Sequence, residues 1–424
     1  MVTGFTSYAS VRFALEAVSR LTKSKLQVET VRAKNSYGRV LSKNIESPIN
    51  VPDMQRSHMD GYAVVASSLT GASSQSPRVL PLVRGLGFEH RRRRRLSRGQ
   101  TMGIVTGEEL PVGADAVVPV EDAKSAGGKV VFLKEVQKGE FCFPIGVDVK
   151  KGTVVVHARA AIRAQDIGIL ALLGIRKLRV FARPRVAIIA TGNELVDSFD
   201  VSDPRKVRES HSPIFENLIR ELGGVTSSRE IVRDDLDLMS DAVERALGSS
   251  DIVLTLGGTS LGEADLVEQT LRRISKKSRI IHGIKMDRGR VAGVAAVRGK
   301  PVVMLPGPVQ GAMNAFLLLA LPLILRMTSG PNSGAFITAR LAAGWKARKK
   351  FQYFTKVLYV RLERKGDGLI ARPIVGDTES ISVLTHSNGF VVVPERVREL
   401  QAGEEVSVRL LPGFSYVGGQ FLAG

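Results

Sequence analysis

The chain has 424 residues, of which 44% are hydrophobic and 24% charged, and a formal net charge of +20. This length predicts two to four domains, and the ordinary balance of apolar and charged residues excludes a wholly disordered chain. The single cysteine, Cys142, excludes a disulfide framework and a multi-cysteine metal cluster, which fits a reducing cytoplasm. The first ten residues lack a signal-peptide core, and the longest apolar run, 312–325, is broken by Pro322 and too short for a bilayer. We therefore expect a soluble, cytoplasmic protein with no membrane partner.

The positive charge attracts polyanions without specificity and draws small anions into clefts. Its densest run is Arg91–Arg95. No aromatic side chain interleaves these arginines to stack bases, and the sequence has no zinc-finger, RNA-recognition or basic-zipper pattern, which disfavours nucleic-acid binding. A solvated loop is the favoured interpretation of the run, and contact with an acidic partner protein stays open.

The first part of the chain predicts one helix followed by short strands. Residues Ser10–Leu21 place apolar side chains on one helical face. Between about 61 and 120, short β-rich runs alternate with glycine and proline, which predicts a small β domain. A second helix is expected at Ala164–Leu173, where Gly174 stops it.

The middle of the chain alternates buried strands with helices. Val186–Ala190 is a near-continuous apolar run, and Ser212–Leu222 predicts a helix with Ser212 as its N-cap. The alternation continues through a helix at 236–247, a strand at 251–256, a helix at 264–274, a strand at 301–305 and a helix from Gly311. This order predicts a doubly wound parallel sheet. Short strands then return at 353–362, 389–393 and 405–411, which predicts a C-terminal β domain.

Three of these predicted strands run directly into glycine-rich turns, namely Thr191-Gly192, Gly257-Gly258 and Pro306-Gly307. In an open parallel sheet, ligands lie beyond the carboxyl ends of the strands. Glycine lets the backbone approach a ligand, and the N–H groups that open the next helix attract anions. One such turn is ordinary, but three at strand ends indicate a single crevice, with 257–262 as a cradle for phosphate.

Carboxylates are expected at the same edge: Glu194 after the first strand, Asp234 before a helix and Asp265 after the glycine loop. Magnesium takes oxygen ligands, commonly one or two carboxylates with water and phosphate. For Asp234 and Asp265 a second interpretation stays open, since acidic residues are also favoured at helix starts by the helix dipole.

Four segments together form a specific pattern. In chain order they are Ser57-His58-Met59-Asp60-Gly61-Tyr62-Ala63-Val64, the run from Thr106 to Val118, Thr191-Gly192-Asn193-Glu194-Leu195-Val196, and the run from Gly257 to Asp265. The pattern resembles the molybdopterin molybdotransferases, the MoeA and gephyrin E-domain family, over nearly the whole chain. The chain is identified as a divergent member.

The resemblance implies a central α/β molybdopterin-binding domain with β-rich domains beside it and a C-terminal barrel-like domain. The expected boundaries are 1–52 with 138–182 for a discontinuous N-terminal helix and linker domain, 53–137 for the small β domain, 183–329 for the α/β domain and 330–424 for the last. It also implies a homodimer, in which the small β domain faces the α/β crevice of the partner subunit.

The implied reaction inserts molybdate or tungstate into adenylyl-molybdopterin and releases AMP, with Mg²⁺ as cofactor and other molybdenum-cofactor synthesis proteins as possible partners. The residues that the resemblance implies for catalysis are Asp60, Thr106, Glu194 and Asp265. Those implied as metal ligands are Glu194, Asp234 and Asp265. Those implied for substrate binding are Gly192, Gly257, Gly258, Ser260, Gly262, Arg288, Gly289, Arg290, Pro306 and Gly307.

The chain departs from the family pattern at several positions. Arg288-Gly289-Arg290-Val291 stands where the family has Pro-Gly-Lys-Pro, and Asp287 stands where a basic residue is common. The turn at Pro306-Gly307-Pro308 lacks the family's asparagine, and His58 and His211 are further changes, interpreted as polar residues of the crevice wall. Two alternatives follow: a transferase tuned to another oxyanion, or a pterin-binding or scaffold protein without catalysis. A nucleotide-dependent hydrolase would lack the segment 59–64.

Overall fold

The computed structural model describes residues 7–22, 26–83, 95–197, 205–259, 265–328, 336–366 and 368–411. The first helix, Val11–Leu21, starts where the hydroxyl of Ser10 accepts the N–H of Phe13. Its buried residues Ala14 and Val18 belong to the same hydrophobic core as strand residues of the central sheet. The predicted helix is therefore present, and it packs on the α/β part of the chain.

The described residues of 26–83 and 95–182 fold into small antiparallel sheets and the α-helix Ala164–Leu172. The two-stranded sheets pair Val28–Arg32 with Lys177–Phe181, Ile45–Glu46 with Val154–Val156, and Arg56–Ser57 with Cys142–Phe143. The three-stranded sheets are Gly61–Val64 between Thr101–Ile104 and Ala116–Pro119, and Lys129–Phe132 between Arg78–Pro81 and Ala123–Ala126. The pairing of Val28–Arg32 with Lys177–Phe181 joins residues before 52 to residues after 138. Cys142, by contrast, packs with buried residues of the small β part.

The central sheet contains six strands in the described chain. They are β1 (Arg185–Thr191), β2 (Val225–Val232), β3 (Ile252–Leu256), β4 (Arg279–His282), β5 (Gly293–Val297) and β6 (Lys300–Leu305), in the spatial order β2-β1-β3-β6-β5-β4. The first four strands in this order, β2, β1, β3 and β6, are parallel to one another, as predicted. Strand β5 runs antiparallel to β6, and β4 runs antiparallel to β5, which the alternation did not predict. The link between β4 and β5 is too short for a crossover helix, so these strands pair antiparallel.

Helices cover both faces of the sheet. They are α1 (His211–Glu221), α2 (Leu236–Ser249), α3 (Leu266–Ile274) and α4 (Val309–Ala315), which continues through Phe316–Ala320 into α5 (Leu321–Thr328). Buried residues of α1 and α4 share one core with the first helix, and those of α2 and α3 form the core of the opposite face. A short parallel pair, Leu195–Asp197 with Val207–Glu209, lies between β1 and α1.

The N-cap predicted for α1 was wrong. The helix begins at His211, so Ser212 lies inside the first turn. The carboxylate of Glu209 accepts the N–H groups of His211 and Ser212 at 2.8 and 2.9 Å. A longer acidic side chain upstream thus satisfies N–H groups that the serine was expected to satisfy.

The apolar run was expected to be broken by Pro322 and too short for a bilayer, which was wrong, because helical structure runs through Pro322 from Val309 to Thr328. Phe316–Ala320 is a π-helical turn that ends two residues before the proline, and a wider turn of this kind accommodates a residue that has no N–H to donate. The stretch Val309–Met327 is apolar enough to cross a membrane, but 78% of its most apolar window is buried in the protein. It is a core helix of the α/β part.

The C-terminal part closes into a five-stranded barrel, as the resemblance implied. Its strands, in barrel order, are Phe336–Leu341, Gly368–Pro373, Lys356–Lys365, Gly389–Val393 and Glu405–Leu410. The pair Trp345–Lys346 with Glu399–Leu400 and a short helix, α6 (Ile381–His386), accompany it. The first two barrel strands were not predicted. The multidomain class with a central α/β domain and β-rich flanks is confirmed.

Replacing Phe316 by alanine should lower the free energy of unfolding by about 3–5 kcal/mol, the usual loss for a buried phenylalanine. Phe316 is fully buried, and its ring stacks on Phe215 at a centroid distance of 5.0 Å. Urea unfolding of Phe316→Ala and of a control, Phe13→Ala, measures the difference, since Phe13 is 51% exposed. Equal losses in the two variants would contradict this placement of the core.

Candidate functional site

A crevice of about 770 Å³ lies at the carboxyl ends of β1, β3 and β6. Its floor consists of the turns that follow these three strands, namely Gly192, Gly257-Gly258 and Pro306-Gly307. The three turns meet because parallel strands end at the same edge of the sheet. The structure thus brings together the predicted substrate-binding residues of these turns. The predicted residues Ser260 and Gly262 lie outside the described residues.

The Gly257-Gly258 turn lies against the end of β1. Both glycines have positive φ, +79° and +64°, a conformation that other residues rarely adopt. A Cβ atom on Gly257 would lie 2.9 Å from the carbonyl oxygen of Thr191, and one on Gly258 would lie 2.6 Å from the Thr191 methyl group. Glycine is required here because the chain must turn while in contact with the neighbouring strand.

Two predicted metal ligands, Glu194 and Asp234, line the crevice with exposed side chains. The hydroxyl of Thr191 donates to the Asp234 carboxylate at 2.7 Å, and the Asn193 side chain accepts the Asp234 N–H at 3.2 Å. The end of β1 therefore holds Asp234 in place. Its exposed carboxylate borders the crevice.

The third predicted ligand, Asp265, is the N-cap of α3 and is 3% exposed. One carboxylate oxygen accepts the Glu268 N–H at 2.7 Å, and the other lies 3.1 Å from Nδ1 of His282. The Glu268 carboxylate lies 2.8 Å from the same nitrogen, and Nε2 of His282 is 3.0 Å from the Val291 carbonyl oxygen. The helix-start interpretation of Asp265 therefore holds. Asp265 is not among the described residues that line the crevice, although its chain neighbour Leu266 is.

The remaining predicted catalytic pair lies in the small β part of the chain. Both the N–H and the hydroxyl of Thr106 donate to one oxygen of Asp60 at 2.7 Å. These two hydrogen bonds lower the pKa of Asp60, so the exposed carboxylate is ionised at neutral pH. Neither residue is among those that line the crevice of its own chain.

Arg288 lines a second cavity, of about 330 Å³, between the α/β part and the barrel. Its cationic residues are Arg288, Lys346, Arg348 and Lys356, and its acidic residue, Asp287, accepts a hydrogen bond from Arg348. Arg288 adopts a φ of +52° and donates to the side-chain oxygen of Gln310. Burial, and next the neighbouring Arg348, lowers the pKa of Arg288. We name this space the basic cavity.

The other two residues of the Arg288 turn have structural contacts. A Cβ atom on Gly289 would lie 2.5 Å from the methyl group of Met286, so a larger residue there would displace the end of that side chain. The Arg290 guanidinium lies over the Phe351 ring, 5.6 Å from its centroid. The structure places both beside the basic cavity rather than in the crevice.

Sequence reasoning missed two acidic residues of the crevice wall, Glu209 and Glu379. Glu209 could have been found as an acidic residue directly before a predicted helix. Glu379 comes from the C-terminal part of the chain, and no local pattern marks it. Both lie near His211, whose pKa is lowered by burial although these two carboxylates and a hydrogen bond with the Gly307 backbone oppose that shift.

The two histidines interpreted as crevice-wall residues differ in position. His211 lines the crevice, as expected. His58 is outside it, because its strand Arg56–Ser57 pairs with Cys142–Phe143 and brings the imidazole against the Phe143 ring. Of the basic run, 91–94 lie outside the described residues, and Arg95 is exposed.

The fold defines a multidomain α/β protein with a crevice at the carboxyl edge of its parallel strands, where proteins with open parallel sheets bind ligands. Three family models match consecutive parts of the chain: the MoeA N-terminal region (domain I and II) at 9–174, a probable molybdopterin binding domain at 187–326 and the MoeA C-terminal region (domain IV) at 338–411. The chain belongs to the MoeA family, as the sequence resemblance predicted.

Similar proteins extend over the whole length. A protein of Methanocaldococcus jannaschii is 30% identical over 409 residues, 94% of this chain and 96% of that protein. The molybdopterin molybdenumtransferase of Staphylococcus epidermidis is 26% identical over 405 residues, 95% and 96% of the two chains. The crystal structure of a molybdopterin biosynthesis MoeA protein from Pyrococcus horikoshii matches with a TM-score of 0.83 and 30% identity, covering 95% of this chain and 99% of that one.

The change Gly258→Ala should destabilise the protein by roughly 1–3 kcal/mol, because the new Cβ atom would clash with Thr191 and because alanine disfavours the positive φ of this position. Gly248→Ala is the matched control, since nothing lies within 4 Å of a Cβ at that helical position. Thermal or urea unfolding compares the two variants. A neutral Gly258→Ala would refute the close packing of the turn on β1.

Acidification should weaken the fold partly through His211. Its pKa in the folded protein lies below the ordinary value of about 6.5, so the unfolded chain binds more protons between those two values. Stability contributed by the neutral imidazole is present above pH 6.5 and is lost as the pH falls. The urea midpoint should therefore drop less between pH 7.5 and 5.5 in His211→Asn than in the wild type. Identical drops would show that His211 is not held neutral by burial.

Proposed function

We propose that adenylyl-molybdopterin binds in the strand-end crevice and that molybdate or tungstate enters the basic cavity beside it. The chain acts as a transferase in molybdenum-cofactor biosynthesis, as its family membership implies. The convergence of three strand-end turns with Glu194 and Asp234 in one crevice is the observation that carries the site assignment.

The glycine turns suit the phosphoanhydride of this substrate. Gly257 and Gly258 let the ligand approach the backbone, and N–H groups at a turn that leads into a helix attract phosphate. A volume of about 770 Å³ is in the range of small-molecule and cofactor sites. The imidazole of His211 also lines this crevice.

Glu194 and Asp234 fit a magnesium ion, because their exposed carboxylates face one crevice and supply the oxygen ligands that this ion prefers. When bound, the ion would neutralise the charge of the phosphoanhydride oxygens. Asp265 is already engaged by the Glu268 N–H and lies beside His282. Its role as a third ligand is part of the proposal and rests on the family resemblance.

The basic cavity suits a tetrahedral oxyanion, because Lys346, Arg348 and Arg288 surround a volume that can hold molybdate or tungstate. In the proposed reaction an oxyanion oxygen attacks the pterin-side phosphorus of the phosphoanhydride, the bond from that phosphorus to AMP breaks, and AMP leaves. The two dithiolene thiols then replace two oxygen ligands of the metal. The bridging oxygen stays on the pterin phosphate, and the other oxygen leaves as water with the two thiol protons. The chain's own residues bind and orient the two anions, so that their charges are compensated while the phosphorus–oxygen bond is exchanged.

Asp60 and Thr106 enter the proposal through a homodimer. Their hydrogen-bonded pair is exposed and lies outside the crevice of its own chain. We place it at the crevice of the partner subunit, where the ionised Asp60 would complete the acidic set. A soluble, cytoplasmic location and transient contacts with other molybdenum-cofactor synthesis proteins complete the proposal.

AMP release from adenylyl-molybdopterin should require magnesium and an oxyanion, and Asp265→Asn should reduce the rate by about 100-fold or more. Asparagine keeps an oxygen that can cap α3 but removes the carboxylate charge, so the loss reports on chemistry. Asp241→Asn, an exposed position on α2, is the control and should release AMP at the wild-type rate. Comparing molybdate with tungstate identifies the preferred metal. Substrate binding without AMP release from the wild type would indicate a scaffold protein instead.

A further inference from the structure

Gln310 connects the basic cavity to the crevice. It lies in the first turn of α4 and is 1% exposed. Its side-chain oxygen accepts a hydrogen bond from Arg288, while its side-chain nitrogen donates to the carbonyl oxygens of Asp377 and, at 3.3 Å, Ser380. Its backbone N–H donates to the Thr378 carbonyl oxygen at 3.1 Å. The polar groups of one buried side chain thus join Arg288 to residues 377–380.

Residues 377–380 form part of the crevice wall. The segment contains no regular secondary structure and carries Glu379, which lines the crevice together with the next residue but one, Ile381. A segment of this kind depends on tertiary contacts for its position. Gln310 supplies three of those contacts, so the position of Glu379 depends on Gln310.

The same helix also holds the Arg288 backbone. One turn after Gln310, the Asn314 side chain donates to the Arg288 carbonyl oxygen at 3.0 Å and accepts the hydroxyl of the buried Tyr359 at 2.8 Å. Residues four apart lie on one face of a helix. This face of α4 therefore fixes both the unusual backbone of Arg288 and the side-chain partner of its guanidinium.

We propose that Gln310 is a positioning residue through which an oxyanion in the basic cavity loosens the crevice wall at 377–380. This inference rests on the proposed function. A charged oxyanion is a stronger acceptor than an amide oxygen, so it competes with Gln310 for the Arg288 N–H groups. When that bond is lost, the Gln310 side chain turns and its hydrogen bonds to Asp377 and Ser380 weaken. Glu379, whose negative charge opposes a phosphoanhydride, then moves away from the crevice.

The coupling has a functional consequence. An oxyanion that loosens the wall favours binding of the adenylylated substrate, and by linkage the substrate favours binding of the oxyanion. The coupling runs through two side chains of this chain, Arg288 and Gln310.

Hydrogen–deuterium exchange of the full-length protein, with and without sodium molybdate, tests the inference. In the wild type, molybdate should slow exchange in 344–348, at the wall of the basic cavity, and speed exchange in 376–383 by about threefold or more. In Gln310→Met, which keeps the side-chain volume, 344–348 should still be protected, while 376–383 should exchange fast with or without molybdate. Gln401→Met, an exposed position in the barrel part, should behave as the wild type.

Each other outcome overturns the inference. A molybdate response in 376–383 that persists in Gln310→Met would show that Gln310 is not the link. Protection of 344–348 in the wild type without a change in 376–383 would remove the coupling and leave the oxyanion site standing. An absence of protection in 344–348 would remove the oxyanion site itself. If Gln310→Met does not fold, Gln310→Glu replaces it, because glutamate keeps the Arg288 contact but cannot donate to Asp377 and Ser380.

Discussion

The parallel pairing of β1, β3 and β6 is the constraint on which the site depends. Parallel strands end together, so the turns after Thr191, Leu256 and Leu305 must lie at one edge of the sheet. The ends of the three strands that lead into these turns are buried and close to one another, so the turns have little room. Gly257 and Gly258 are the residues that permit this approach. A crevice floored by backbone and bordered by carboxylates follows from the pairing.

The helix that begins at Val309 is the second organising element. It starts at the crevice, passes through the core, and carries on one face the side chains that contact Arg288 and the segment 377–380. The departures from the family pattern lie around this helix start, at Asp287, Arg288 and Pro308. They are accompanied by compensating contacts: Arg288 has Gln310 as a partner, and Asp287 has Arg348. The residues that differ from the family pattern are therefore held by hydrogen bonds to other side chains of this chain.

Local patterns predicted the elements that are decided locally. The strands β1, β3 and β6 and the first helix could be predicted, because a continuous apolar run or an amphipathic pattern indicates a buried element whatever it packs against. The antiparallel strands β4 and β5 were missed because pairing direction depends on the connection between strands. The helix through Pro322 was missed because a π turn and a surrounding core offset the absent N–H.

The same distinction applies to the site. The strand-end residues Gly192, Glu194 and Gly257 were predicted, since position after a strand fixes position at the edge. Glu379 and Gln310 were not, because their roles come from contacts between residues about 70 positions apart in the chain. The placement of Arg288 in a separate basic cavity was likewise beyond local reasoning, since barrel residues form its other wall.

A crystal structure of the protein soaked with AMP and sodium tungstate tests the central claim most directly. Tungsten can be located by its anomalous scattering, and the nucleotide by its phosphate density. The account predicts a tungsten peak that places the tungstate oxygens within hydrogen-bond reach of Arg288 and Arg348. It also predicts the AMP phosphate against the Gly257-Gly258 turn. A nucleotide bound away from the strand ends, or tungstate confined to surface arginines, would contradict the account.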